Sequence, residues 1–181
     1  MRPFILSLAA VAAFVPAAHA QTIAITGGKV YTVSGATIDN GTVIIRDGKI
    51  TAVGPNVAIP DGAQRIDASG KWVTPGLVDA ATVLGLSEIS AIPGTNDAKA
   101  EGQDIVAAAF KVADGLNPTS ILLSPTREDG ITTVVIHPDN GLLAGQSAVV
   151  ELVDGSATDM ILKPSVAMVA NFDSQRRVGV A

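Results

Sequence analysis

Two alternating runs flank Asp47-Gly48 in TVIIRDGKITAVG, residues 42–54, and this pair limits the fold more than any other feature of the chain. A two-residue turn between β runs needs positive φ at both central positions, which Asp-Gly tolerates. It predicts a hairpin. Other turn pairs punctuate the same region: Gly27-Gly28 after TIAIT, Ser34-Gly35 after KVYTV, and Ser69-Gly70 after QRIDA, with KWV following. Many short strands broken by such turns predict a small β-sandwich or partial barrel over residues 21–73. No charged cluster interrupts this region, so it reads as scaffold.

From Pro75 onward the pattern changes. LVDAA, residues 77–81, is a largely apolar run, as in a strand buried on both faces. A polar stretch from Ser87 to Gly102 reads as loop. DIVAAAFKVADGL, residues 104–116, is alanine-rich with apolar positions at helical spacing, and Gly115 and Pro118 would stop it. SPTREDG, residues 124–130, predicts a short helix capped by Ser124, with Pro125 in its first turn and Gly130 at its end. ITTVVIHP predicts a second buried strand, and QSAVVELVDG another strand and turn. Strands alternating with helical segments suggest α/β units with parallel pairing. Near the carboxyl end, Asp173 or Ser174 is a candidate N-cap for a helix that the chain stops short of completing.

The 181 residues carry a formal charge of −5 and no cysteine. Disulfides and thiolate metal sites are therefore excluded. No basic patch interleaved with aromatics is present, which argues against a nucleic-acid partner. The opening MRPFILSLAAVAAFVPAAHA reads as a signal peptide, residues 1–20. Arg2 is its positive start, Phe4 to Val15 its apolar core, and Ala18-His19-Ala20 its cleavage site. The run is too short for a membrane span, which needs about 20 apolar residues. Cleavage after Ala20 places the remainder in a periplasm or outside the cell, with no membrane contact afterwards. What remains can bury one ordinary core but falls short of a full (β/α)8 barrel, which takes about 250 residues.

The β region followed by TPGLVD resembles the amino-terminal part of the amidohydrolase superfamily, in its imidazolonepropionase-like branch. The block DGITTVVIHPDNGLLAGQSAVVEL, residues 129–152, resembles the same branch. The resemblance implies a small β-sandwich at 21–73 and a metal-bearing (β/α)8 barrel, of which residues 74–181 would form an incomplete part. The implied fold is α/β with a β-sandwich portion. The family's opening signature is Pro-Gly-apolar-apolar-Asp-x-His-x-His. Pro75, Gly76, Leu77, Val78 and Asp79 match it, and Ala81 and Val83 stand where the histidines belong.

On a strand, residues two apart share a face. Two histidines so placed can hold a divalent ion, usually zinc, which lowers the pKa of bound water to about 7. Alanine and valine coordinate nothing, so no metal or other cofactor is expected here. The other candidate residues read as structural. His137, the only histidine after residue 20, lies at a strand end before proline. Asp79 reads as a residue that fixes local structure, ahead of a role supporting metal ligands. Glu88, Asp97, Glu101 and Asp104 form an acidic stretch that reads as a solvated face and helix-start acids. Gly141, Gly145 and Gln146 form a loop that either faces a substrate pocket or only serves turns. It lacks the spacing of dinucleotide- and phosphate-binding loops.

The expected function is that of an exported amidohydrolase-family protein. By family it belongs with the metal-dependent hydrolases of non-peptide C–N bonds, but in a truncated or metal-free form inactive by itself. The alternatives are a non-catalytic partner of an active amidohydrolase, through a complementary chain or homo-oligomer, and a small β-rich binding module.

Overall fold

The computed structural model describes residues 21–89, 91–100 and 106–172. The expected signal peptide and the N-cap expected at Asp173 or Ser174 lie outside these residues. The chain divides into two compact units, Met1–Pro75 and Gly76–Ala181.

The first unit holds β1 (Thr22–Val30), β2 (Ile38–Arg46), β3 (Lys49–Gly54), β4 (Gln64–Asp67) and β5 (Trp72–Val73). They form one sheet in the order β3-β2-β1-β4, and β5 also pairs with β1. The strands β1, β2 and β3 are antiparallel neighbours, whereas β4 and β5 run parallel to β1. The Asp47-Gly48 turn forms as its residues dictate, with φ of 52° and 72°.

Two expectations for this unit are corrected. The sequence suggests a small β-sandwich or partial barrel, but the described residues of this unit form a single sheet. The parallel strands β4 and β5 both extend the β1 edge instead of opening a second layer, and β4 stays exposed along its length. Gly27-Gly28, which reads as a turn, is a bulge inside the continuous strand β1. Gly27 has φ 78°, and a Cβ on Gly28 would lie 2.7 Å from Val73 Cγ2, so close approach by Val73 demands a glycine there.

The second unit holds β6 (Leu77–Thr82), α1 (Leu123–Glu128), β7 (Ile131–Ile136), β8 (Leu143–Glu151), α2 (Ala157–Met160) and β9 (Ile161–Ala170). Its sheet runs β6-β7-β8-β9. The β6–β7 pair is parallel and the other pairs are antiparallel. Leu86, Val112, Val134, Ile136, Val150 and Met160 are fully or almost fully buried in one cluster. Each large side chain so placed contributes about 1.5–3 kcal/mol. The whole is a β-rich fold with mixed sheets and short helices.

Three helical and strand expectations change here. Residues 106–111 of the alanine-rich run do not form a helix. They lie along β8 through bridges at Val106–Leu143 and Lys111–Gln146, and Ala107 N–H donates to Leu143 O at 2.7 Å. A short 3₁₀ turn follows at Val112–Gly115 and buries Val112 and Ala113. Tertiary pairing outweighs helix propensity in this stretch. Helix α1 forms, yet its N-cap is Leu122, and Ser124 inside it donates to Glu128 Oε1 at 3.1 Å. Finally, β6 is not buried on both faces. It is an edge strand, and Leu77 and Val78 are 58% and 63% exposed.

Helix α2 begins with a capping box. Ser156 Oγ accepts from Asp159 N–H while the Asp159 carboxylate accepts from Ser156. The Ser156 hydroxyl and then its backbone N–H hold the Asp159 carboxyl below its usual range. Asp67 is lowered in the same way by the Ser69 hydroxyl and backbone N–H, with a smaller contribution from Lys71. A depressed folded pKa adds stability that is present above the unfolded value, about 4, and lost as pH falls through the folded value. A pH titration by NMR should therefore find both carboxyls ionised into more acidic solution than an unfolded aspartate. Ser156→Ala should raise Asp159 and leave Asp67 where it was.

Candidate functional site at the ends of β6 and β7

The parallel pairing brings the carboxyl ends of β6 and β7 together. Thr82 is in register with Ile136, and His137 N–H donates to Thr82 O at 3.0 Å. Positions 79 to 83 and His137 therefore gather at one end of the sheet, as the sequence pattern requires of a site at strand ends.

The backbone of β6 is irregular there. Between Asp79 and Thr82 it advances three residues while β7 advances two, from Val134 to Ile136. The extra residue makes a bulge. Two side chains brace it. Asp79 Oδ1 accepts from Ala81 N–H at 3.1 Å, and Thr82 Oγ1 accepts from Leu84 N–H at 3.2 Å. Asp79 thus acts on local backbone, the role its sequence position suggests. The bracing by Thr82 is not legible from the sequence, because nothing local marks that residue as a turn former.

Ala81 and Val83 occupy different surroundings. Ala81 is exposed, whereas Val83 packs against the buried cluster. Neither carries a donor atom. His137 is half-buried, and its Nδ1 lies 3.1 Å from the carbonyl oxygen of its neighbour Pro138. In the tautomer protonated at Nδ1 that nitrogen donates to the carbonyl, and only Nε2 is left to accept. Among the described residues no three His, Asp or Glu side chains converge. The residues present at this end of the sheet do not fit a divalent metal ion.

The remaining candidates do not join this cluster. Glu88 Oε1 accepts from Asn117 Nδ2 at 3.1 Å, which ties the loop after β6 to the segment before α1. Asp97 is exposed, and its N–H donates to Leu86 O at 2.7 Å. Glu101 and Asp104 lie outside the described residues.

Gly141 lies in the turn before β8, but Gly145 and Gln146 are inside that strand and not in a loop. Gly145 has φ 130°, and a Cβ there would lie 2.7 Å from Phe110 O, so the glycine admits the crossing segment. Gln146 Nε2 donates to Ala108 O at 3.1 Å, and its Oε1 accepts from Ser165 Oγ at 2.6 Å. Gln146 therefore fastens β9 and the 106–111 segment to β8. Ser165 has no sequence signal for this partnership, because its partner is 19 residues away.

No protein-family model matches the chain. An imidazolonepropionase of Staphylococcus aureus strain JH9 is 53% identical to it over 47 residues, which are 26% of this chain and 11% of that protein. The imidazolonepropionase of strain Newman matches to the same degree. An amidohydrolase from Thermotoga maritima MSB8 superposes with a TM-score of 0.70 at 28% identity, covering 81% of this chain and 38% of that one. The chain thus spans 11% of the curated relatives it matches and 38% of this solved structure. Among the described residues no helix is long and apolar enough to cross a membrane. The local identity and the superposition over four-fifths of the chain point the same way as the TPGLVD and DGITTVVI segments, to a likeness with the amino-terminal part of amidohydrolase-superfamily proteins.

Proposed function

We propose that this chain is an exported, metal-free amidohydrolase-superfamily protein. It carries scaffold of a hydrolase of non-peptide C–N bonds without hydrolysing them itself. One observation carries this reading. At the shared end of β6 and β7, where the family resemblance implies a histidine pair, the side chains are those of Ala81 and Val83. Export rests on the opening 20 residues alone.

The finer architecture belongs to the same proposal. The parallel β6–β7 pair would be the start of a barrel wall, and the exposed Leu77 and Val78 would be covered in a completed one. That uncovered edge also favours the second reading, a non-catalytic partner that meets an active amidohydrolase chain or another copy of itself.

The test is the metal content of the full chain, expressed with added zinc and then dialysed against a chelator, together with its activity on cyclic amides and imides. No stoichiometric zinc and no metal-dependent hydrolysis are expected. One equivalent of chelator-resistant zinc per chain, with hydrolysis that follows it, would overturn the proposal.

A further inference from the structure

We propose that Asn140-Gly141 is a site of spontaneous deamidation in the folded chain, and that Asn40-Gly41 is protected from the same reaction by its strand. Glycine follows asparagine at these two positions alone in the sequence. A following glycine, lacking Cβ, lets its amide nitrogen approach the asparagine side chain with least hindrance.

The two pairs have different surroundings. Asn40 and Gly41 lie inside β2; Asn40, with φ 52°, stands at a register shift, and Gly41 is in register with Gly28 of β1. Gly41 is also closely packed, since a Cβ on it would lie 2.7 Å from Val30 Cγ2. The backbone there must leave the sheet before the reacting atoms can meet.

Asn140 is exposed and Gly141 buried, as Asn40 and Gly41 are, but this pair lies outside any strand, in the bend between β7 and β8. Its own N–H donates to Asp139 Oδ1 at 2.8 Å. The Gly141 N–H donates to no described residue, and the Gly141 carbonyl is held by Asn171 Nδ2 at 2.9 Å. Reaction at Asn140 therefore needs rearrangement of one short bend, a local opening of low cost compared with separating two strands.

In the reaction the Gly141 nitrogen gives up its proton and attacks Asn140 Cγ. The new C–N bond closes a succinimide ring as the Cγ–Nδ2 bond breaks, and Nδ2 leaves as ammonia with the displaced proton. Water then opens the ring. Cleavage of the Cγ–N bond leaves aspartate in a normal backbone, and cleavage of the other C–N bond leaves isoaspartate, with the chain running through the former side chain. Nothing is oxidised or reduced.

The experiment incubates the full chain at mildly alkaline pH, folded and in denaturant, and follows the amide-to-acid mass gain by peptide mapping. Mass separates this reaction from isomerisation at the Asp-Gly pairs, which leaves mass unchanged. In the folded chain Asn140 should convert at least about tenfold faster than Asn40, and in denaturant the two rates should draw together. Equal rates in the folded chain, a faster Asn40, or no gain at Asn140 while the denatured chain converts would each overturn the proposal.

Discussion

Ile136→Ala is expected to destabilise the Gly76–Ala181 unit by about 2–5 kcal/mol. Ile136 is completely buried in the middle of the sheet, in the cluster that includes Val134, Val150 and Met160. Removing three carbons there loses their transfer free energy and leaves a cavity that β7, held between β6 and β8, has little freedom to collapse. Hydrogen exchange read on peptides from residues 131–152 should show protection falling by orders of magnitude. Ile131, at the start of the same strand and only partly buried, is the control. Ile131→Ala should cost clearly less. If the two variants exchange alike, Ile136 is not at the centre of the core described above.

Gly145→Ala is expected to cost about 2–5 kcal/mol from two additive causes. The first is backbone strain, since φ at this position is 130°. The second is collision, because the new methyl group would lie 2.7 Å from the Phe110 carbonyl oxygen and 3.1 Å from Phe110 Cβ. A backbone carbonyl cannot swing aside as a side-chain tip can. This one also accepts from Gln146 N–H at 2.8 Å. The matched control is Gly48→Ala, which has φ 72° but nothing within 4 Å of the new carbon. It should cost only the strain, about 1 kcal/mol. A urea melt of each variant by circular dichroism separates the two causes. Equal losses would mean that the 106–111 segment does not press on β8.

The same residues show which features a sequence exposes. Asp47-Gly48 was readable because a two-residue turn is decided by its own residues. Gly145 was not, because the need for glycine comes from Phe110, 35 positions earlier, and a glycine kept for close approach looks like one kept for a turn. The alanine-rich run before Gly115 has a helical pattern, but its backbone amides and carbonyls find partners on β8, and no local pattern announces such pairing. The apolar LVDAA run reads as a strand with both faces covered, and the covering layers are absent among the described residues.

At the candidate site, the lack of donor atoms at positions 81 and 83 was plain from residue identity. The bulge that gives those positions different surroundings was not, because a bulge is a mismatch between two strands and is invisible in either one alone.

Tyr31 and Trp72 form an edge-to-face pair with ring centroids 5.5 Å apart, and they are the only tyrosine and the only tryptophan in the chain. Both belong to the Met1–Pro75 unit. Intrinsic fluorescence of this protein is therefore a report on one unit, and the other is optically dark apart from its phenylalanines. Even within the first unit the wavelength of emission will change little on unfolding, because Trp72 is already 73% exposed to water in the native state. The useful signal is energy transfer from Tyr31 to Trp72, which is efficient at this separation and collapses when the pair parts. Neither fluorophore lies in the β6–β9 sheet. A tryptophan at Phe110, packed beside the core of the second unit, would give that sheet a lamp of its own.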